Sequence, residues 1–244
     1  MASEVDALVL MVGYPHDLRS VLLEQDVISK MRPGSLLIDH TTSTPSLAME
    51  IAEIAKSKNI DCLDSPVSGG DIGAKAGKLV LMTGGSQAAF ERAQPLFNSY
   101  GSVIELLGEA GSGQHTKCCN QITIAGSMIG VCEALIYGHR AGLDLVKLLE
   151  TIKGGGANSF SLTAYTPRVL RRDMQPGFFV EHFVKDMEIV LDECRRMGIS
   201  LPGLSLVHQL YRGLMAQGGG KLGTQALVTV LEKLNGIEIK KYDI

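Results

Sequence analysis

This chain lacks an excess of charge, a metal motif, a recognisable leader and any long low-complexity tract, and each absence removes a class of function. Its 23 basic and 26 acidic residues leave a net charge of -3, so nothing in the balance points to nucleic acid or an acidic membrane surface as partner. The six histidines form no HExxH or other paired spacing, which gives no basis for a metal site. Five cysteines (Cys62, Cys118, Cys119, Cys132, Cys194) are an odd number without metal-type spacing and suit free thiols in a reducing compartment. The N-terminal MASEVDALVL carries two acids and no basic region, unlike a secretory or transit segment. The longest apolar run, 122–138, is short for a membrane span and is broken by Gly126, Ser127, Gly130 and Glu133. It reads as a fully buried core helix, and the flanking Cys118 and Cys119 as small core residues.

What is present is an alternation of short apolar runs and helical stretches over the first hundred residues. Residues 7–12, 35–39, 60–63, 79–82 and 102–106 read as strands, the first as a buried one. Helical patterns at 17–24, 46–58 and 86–97 separate them, which predicts a parallel α/β sheet. Beyond residue 107 the strand signals stop and helices follow with glycine-rich connections. Two domains are expected, 1–107 and an all-helical 108–244.

In open α/β sheets, ligands sit outside the carboxyl ends of the strands. Three loops meet that rule: Gly13-Tyr14-Pro15, His40 to Pro45, and Ser65 to Gly70. Ordinary strand-to-helix turn chemistry favours the same residue types, so each loop alone is also explained as a turn. Ser68, Gly69 and Gly70 are the least generic, offering a hydroxyl and unobstructed backbone N–H groups suited to a carboxylate.

The stretch GEAGSGQHTKCCNQ (108–121) places three glycines before a helix that carries Lys117 and Asn120 three residues apart on one face. An amine and a carboxamide on a rigid helix can bind and deprotonate a small polar substrate. The competing reading is a helix entry that needs glycines, followed by an exposed lysine. GGGKLG at 218–223 matches the dinucleotide fingerprint by letters but follows a helical pattern, so it reads as a helix–helix loop. Residues 178–194 form an amphipathic helix with Phe179, Phe183, Met187, Val190, Leu191 and Cys194 on one stripe. Lys185 lies off it, with Glu181 at i−4 as the partner of a solvated ion pair.

In this order, DSPVSGGDIGAKAGKL, GEAGSGQHTKCCNQ and FFVEHFVKDMEIV resemble the 3-hydroxyisobutyrate dehydrogenase-like branch of the β-hydroxyacid dehydrogenases. That group also holds tartronate semialdehyde, glyoxylate and succinic semialdehyde reductases and, more distantly, the 6-phosphogluconate dehydrogenases. The resemblance covers essentially the whole chain. It implies an NAD- or NADP-dependent oxidoreductase with a Rossmann-type parallel sheet followed by an all-α C-terminal domain. Carried over by position, Lys117 is the proton-transferring residue, Asn120 a substrate-orienting amide, and Ser68, Gly69 and Gly70 the carboxylate holders. Val12, Gly13, Thr41, Thr42 and Lys185 fall where the family meets its cofactor, and His182 stands where it usually has an aliphatic residue.

One departure matters. The family opens with a strand, a GxGxxG turn and a helix, and this chain starts about fifty to sixty residues into that pattern. The sheet is therefore expected to be an N-terminally truncated one, and the chain as written to bind a dinucleotide weakly and not to turn over a 3-hydroxy acid. The alternative is a non-catalytic protein that uses its helices for dimerisation or holds a small acid. A small carboxylate substrate and a second copy of the chain, associating through the helical domain, are the expected partners. The compartment is cytoplasmic, or mitochondrial if a transit segment lies upstream.

Overall fold

The computed structural model describes residues 2–244, which divide into two compact units, 2–119 and 120–244. The first unit alternates strands and helices. Its elements are β1 (Ala7–Leu10), α1 (Pro15–Arg19) running into a π-helical turn (Ser20–Glu24), α2 (Val27–Lys30), β2 (Leu36–Asp39), α3 (Pro45–Ser57) and β3 (Asp61–Asp64). There follow β4 (Val67–Ser68), α4 (Gly70–Lys75), β5 (Leu79–Gly85), α5 (Gln87–Tyr100) and β6 (Gly101–Leu106). α6 (Ser112–Arg140) begins in the first unit and continues into the second. There it is followed by α7 (Leu145–Ile152), α8 (Thr166–Leu170), α9 (Val180–Met197), α10 (Pro202–Ala216) and α11 (Leu227–Asn235).

The sheet runs β1-β2-β3-β5-β4, with β6 paired to β5. β1, β2 and β3 are parallel, as are β5 and β6, but β5 is antiparallel to β3 and to β4. The Rossmann-type half is thus a mixed sheet. The chain reverses through β4 and α4 before β5, a step that the apolar runs alone do not encode.

β2 shows why its run is continuously apolar. Leu37 packs into one core with Leu18, Leu22, Ile28 and Ile51, whereas Ile38 packs into another with Leu63, Leu81 and Phe97. Successive side chains point to opposite faces, so a strand covered on both sides needs apolar residues at every position. β1 differs from the expected buried strand. Among the described residues it pairs only with β2, Val9 is 46% exposed, and Met11 beyond it is 68% exposed.

Two further expectations are corrected. α6 is not buried on all sides: only 39% of its most apolar stretch is covered, and Thr123, Gly126, Gly130, Glu133 and Tyr137 form an exposed stripe. By length and composition it could cross a membrane, yet the face it leaves open bears small residues and a carboxylate rather than large aliphatic side chains. Cys119 is likewise exposed rather than in the core, and Cys118 is half-buried. In the second unit the GGGKLG segment contributes a 3-10 turn (Gly219–Lys221) between α10 and α11, a helix–helix connection as expected.

Glycines divide sharply by what surrounds them. A Cβ at Gly113 would fall on the carbonyl oxygens of Asp64 and Met82, whereas one at Gly126, also in α6, would meet nothing. Gly113→Ala is expected to destabilise the first unit by about 3 kcal/mol or more, through overpacking against fixed backbone. Gly213→Ala in α10, where an added Cβ also meets nothing, should stabilise by about 0.5–1 kcal/mol through helix propensity alone. Urea denaturation of the pair checks both signs.

Candidate active site

β3 ends in Asp64, which is 3% exposed and meets the first turn of α6. Gly111 N–H donates to Asp64 Oδ1 at 2.8 Å, and Gln114 N–H donates to Oδ2 at 2.9 Å. A carboxylate placed there satisfies helix donors that otherwise have no partner and opposes the positive end of the helix dipole. Burial nevertheless dominates. It pushes the Asp64 carboxyl up to about 6, while the backbone N–H groups of Gly111 and Gln114 pull the other way.

Once α6 is anchored, its next turns are fixed. Gln114, fully buried, donates from Nε2 to the Thr41 carbonyl at 2.8 Å and accepts from Ser43 N–H at 2.9 Å. Its carboxamide thereby completes the backbone of the hydroxyl loop. Thr41 is itself fully buried and accepts the Val12 N–H on its Oγ1 at 3.0 Å, tying the loops after β1 and β2 together. Thr42 is half-buried. His40 adds a second tie. Its Nδ1 lies 2.5 Å from the Ser65 carbonyl, so that nitrogen donates, and in the neutral ring Nε2, 2.9 Å from the Tyr100 hydroxyl, accepts. Burial lowers the His40 pKa, in keeping with a neutral ring, and lifts the Tyr100 hydroxyl to about 12.

Lys117, one turn beyond Gln114, is only 8% exposed, and its Nζ donates to the Val67 carbonyl at 2.7 Å. The exposed lysine of the competing reading is therefore not what the fold contains. Its amine lies at the residue before Ser68, and the two glycines that follow have φ of 122° and 63°. Positive φ at both positions suits glycine, and the absence of side chains leaves this backbone exposed. The ammonium, a half-buried hydroxyl and an open backbone together can take a small carboxylate bearing a second polar group.

Asn120 and Lys185 belong to the second unit. Asn120 Nδ2 donates to Gln121 Oε1 at 2.8 Å. Lys185, for which a solvated pair with Glu181 is the competing reading, has a side chain only 12% exposed and lies 2.9 Å from Asp186 Oδ1. Glu181 pairs with Lys221 instead. His182 is half-buried with its ring edge-on to Phe179. A cavity of about 390 Å³ in this unit, between Gly126, Ser127 and Gly130 on one side and Asn158 and Ser159 on the other, contains none of the motif residues. Among the described residues no group of three or more His, Cys, Asp or Glu side chains is arranged to hold a metal.

The loops at Val12-Gly13 and Thr41-Thr42 sit at the carboxyl ends of adjacent parallel strands. The helix starts that follow them are closed to phosphate. α1 begins with Pro15, and the Asp17 carboxylate accepts the Tyr14 N–H; α3 begins with Pro45, and Thr44 accepts the Leu47 N–H. Phosphate sites at helix starts need free N–H donors and no resident acid. These two helix starts therefore offer no phosphate site.

Comparison with known proteins adds to this geometry. Residues 1–111 match the profile described as the NAD binding domain of 6-phosphogluconate dehydrogenase. Residues 111–231 match that described as NAD-binding of NADP-dependent 3-hydroxyisobutyrate dehydrogenase. An Arabidopsis thaliana protein named as a probable mitochondrial 3-hydroxyisobutyrate dehydrogenase-like 1 is 51% identical over 100% of this chain and 73% of its own length. The chain belongs to the 3-hydroxyisobutyrate dehydrogenase-like family. Members of this family are NAD(P)-dependent hydroxyacid dehydrogenases. The Escherichia coli 2-hydroxy-3-oxopropionate reductase is 34% identical over 93% of this chain and 78% of its own. The crystal structure of 3-hydroxyisobutyrate dehydrogenase from Salmonella typhimurium superposes with a TM-score of 0.86 at 29% identity, over 94% of this chain and 80% of the other. The Mycobacterium tuberculosis 3-hydroxyisobutyrate dehydrogenase with L-serine gives the same TM-score and coverage at 28% identity.

In this family member Asp64 should leave a pH signature. Its carboxyl is more easily protonated folded than unfolded, so its contribution is full below about 4 and is lost as pH rises through about 6. The stability of the wild type relative to Asp64→Asn is expected to fall by about 2–3 kcal/mol between pH 4 and pH 7. Urea midpoints across that range check it, and a difference that rises with pH would show that the N–H donors outweigh burial.

Proposed function

We propose that this chain supplies the substrate site of an NAD- or NADP-dependent enzyme that oxidises a small 3-hydroxy acid, or reduces the corresponding semialdehyde, with Lys117 as the proton-transferring group. The observation that carries the reading is the buried Lys117 ammonium, hydrogen-bonded 2.7 Å from the Val67 carbonyl immediately before Ser68-Gly69-Gly70. Ser68, Gly69 and Gly70 hold the substrate carboxylate. The fixed helix presents Lys117 to the hydroxyl, with Asn120 one turn further along orienting it. Val12, Gly13, Thr41 and Thr42 border the ring of NAD or NADP, and Lys185 is a further cofactor-binding residue. When bound, that ring accepts or returns a hydride at the carbon bearing the hydroxyl. Lys117, as the neutral amine, takes the hydroxyl proton, and as the ammonium it returns it to the carbonyl oxygen in reduction. L-serine, named with the Mycobacterium tuberculosis relative, is itself a 3-hydroxy carboxylic acid and supports the substrate class. The division of labour is a nucleotide-binding 1–107 and a helical 108–244. By their names three relatives are mitochondrial, which supports a mitochondrial or cytoplasmic setting here.

In the chain joined to an upstream family-type dinucleotide-binding segment, Lys117→Ala is expected to lower kcat for a 3-hydroxy acid by about 10²–10⁴-fold, the usual worth of a positioned proton donor or acceptor, with a smaller change in KM. Steady-state assay with NAD and NADP measures this, and turnover undiminished in Lys117→Ala would overturn the assignment.

The helical domain is proposed to pair with a second copy through the open stripe of α6. A Cβ at Gly130 meets nothing within the chain, so Gly130→Lys should fold normally and raise the dimer Kd by about tenfold or more, equivalent to about 1.4 kcal/mol. Sedimentation showing a monomeric wild type at micromolar concentration would refute this.

A further inference from the structure

His40 follows β2 and is 7% exposed, with its ring tilted against Phe97 at 6.1 Å and edge-on to Tyr100 at 5.5 Å. Its two nitrogens reach different elements of the first unit. Nδ1 meets the Ser65 carbonyl, and Nε2 meets the Tyr100 hydroxyl at the end of α5. Core packing alone asks for a ring at this position and not for a nitrogen on each edge of it.

The residue after Ser65 is proline, which has no N–H. The peptide group joining Ser65 to Pro66 therefore offers one hydrogen-bonding atom, the Ser65 carbonyl, and Ser65 is fully buried. Without a donor, that carbonyl would bear the full cost of its desolvation. The His40 Nδ1–H meets the need and sets the plane of the peptide. Pro66 has a fixed φ, and its own carbonyl accepts the Met82 N–H at 3.1 Å. The next carbonyl, that of Val67, receives Lys117 Nζ at 2.7 Å, and Ser68-Gly69-Gly70 follow. β4 spans only two residues, so its ladder with β5 is a short hold on this segment.

We propose that His40 is a positioning residue for the substrate site. Its Nδ1–H sets the Ser65–Pro66 peptide, and through it the Val67 carbonyl that seats Lys117 and the backbone that takes the carboxylate. The Tyr100 hydroxyl, donating to Nε2, holds the ring in that orientation. The proposal rests on the reading of Ser68, Gly69 and Gly70 as the carboxylate holders. Every group in it belongs to the first unit.

The test separates the donor from the ring. Phenylalanine keeps the ring and has no donor, whereas the amide of an asparagine stands where histidine carries Nδ1. The test uses isotope-labelled protein, with the Lys117 side-chain signal assigned by its loss in Lys117→Ala, and titration with 3-hydroxyisobutyrate. His40→Phe should shift the signals of Lys117 and of the Gly69 and Gly70 amides. It should also raise the Kd for 3-hydroxyisobutyrate about five- to tenfold, the worth of one hydrogen bond of ordinary net strength. His40→Asn should keep the Lys117 signal and hold the Kd within about twofold, because the bond to Ser65 is retained. A packing role predicts the opposite order, since asparagine gives up the contact with Phe97. Signals and Kd that follow the ring, or that stay unchanged in His40→Phe, overturn the proposal. If His40→Phe does not fold, His40→Gln, whose longer amide reaches towards Tyr100 in place of Ser65, takes its place with the same expected result. A wild type that does not bind 3-hydroxyisobutyrate, with the Lys117 signal still following the donor, overturns the reading of Ser68 to Gly70 and leaves the role of His40 standing.

Discussion

The buried carboxylate of Asp64 is the constraint on which the site depends. A helix starting in the protein interior brings N–H groups that no residue within it can satisfy, and one acid at the end of β3 takes two of them. This is possible only because Gly113 lets α6 come up against the Asp64 and Met82 carbonyls, and Gly84 has no side chain to occupy the same space. From that seat the helical repeat does the rest. Gln114 reaches the hydroxyl loop, and Lys117 reaches the Val67 carbonyl beside the Ser68-Gly69-Gly70 backbone. A lysine has four flexible carbons, so its position is worth little unless the helix bearing it is fixed.

Amides serve as the connecting parts throughout. Gln114 joins two backbone groups of one loop, and Gln121 joins a buried acid to a neighbouring amide. A carboxamide has a donor end and an acceptor end, so fixing one end fixes the other without adding charge. In an interior where unpaired polar groups are expensive, this engages buried donors and acceptors without adding charge.

The strands were readable where both faces are buried, because Leu36 to Ile38 and Leu79 to Met82 are then continuous apolar runs. Strand direction was not readable. An apolar period is the same for parallel and antiparallel pairing, and the reversal before β5 depends on β4, only two residues long. β1 carries the same apolar signature as a central strand, yet its burial depends on neighbours that its own residues do not specify. Lys117, Asn120 and the SPVSGG loop stood out because glycine spacing marks close backbone approach. Asp64, Gln114 and Asp186 did not, since their partners lie 47 to 73 residues away in the chain. A signal for Gln114 did exist: it lies three residues before Lys117 on the same helical face. The pairing of Lys185 with Asp186 rather than Glu181 depends on the burial of α9, which local charge spacing cannot supply.

The most direct measurement of the central claim is a crystal structure of the protein soaked with 3-hydroxyisobutyrate. The account predicts the carboxylate at the backbone of Gly69 and Gly70 and the hydroxyl about 3 Å from Lys117 Nζ, within ordinary hydrogen-bond reach. The acid bound elsewhere, for example in the cavity beside Gly126 and Asn158, with Lys117 still on the Val67 carbonyl and remote from it, would contradict the account.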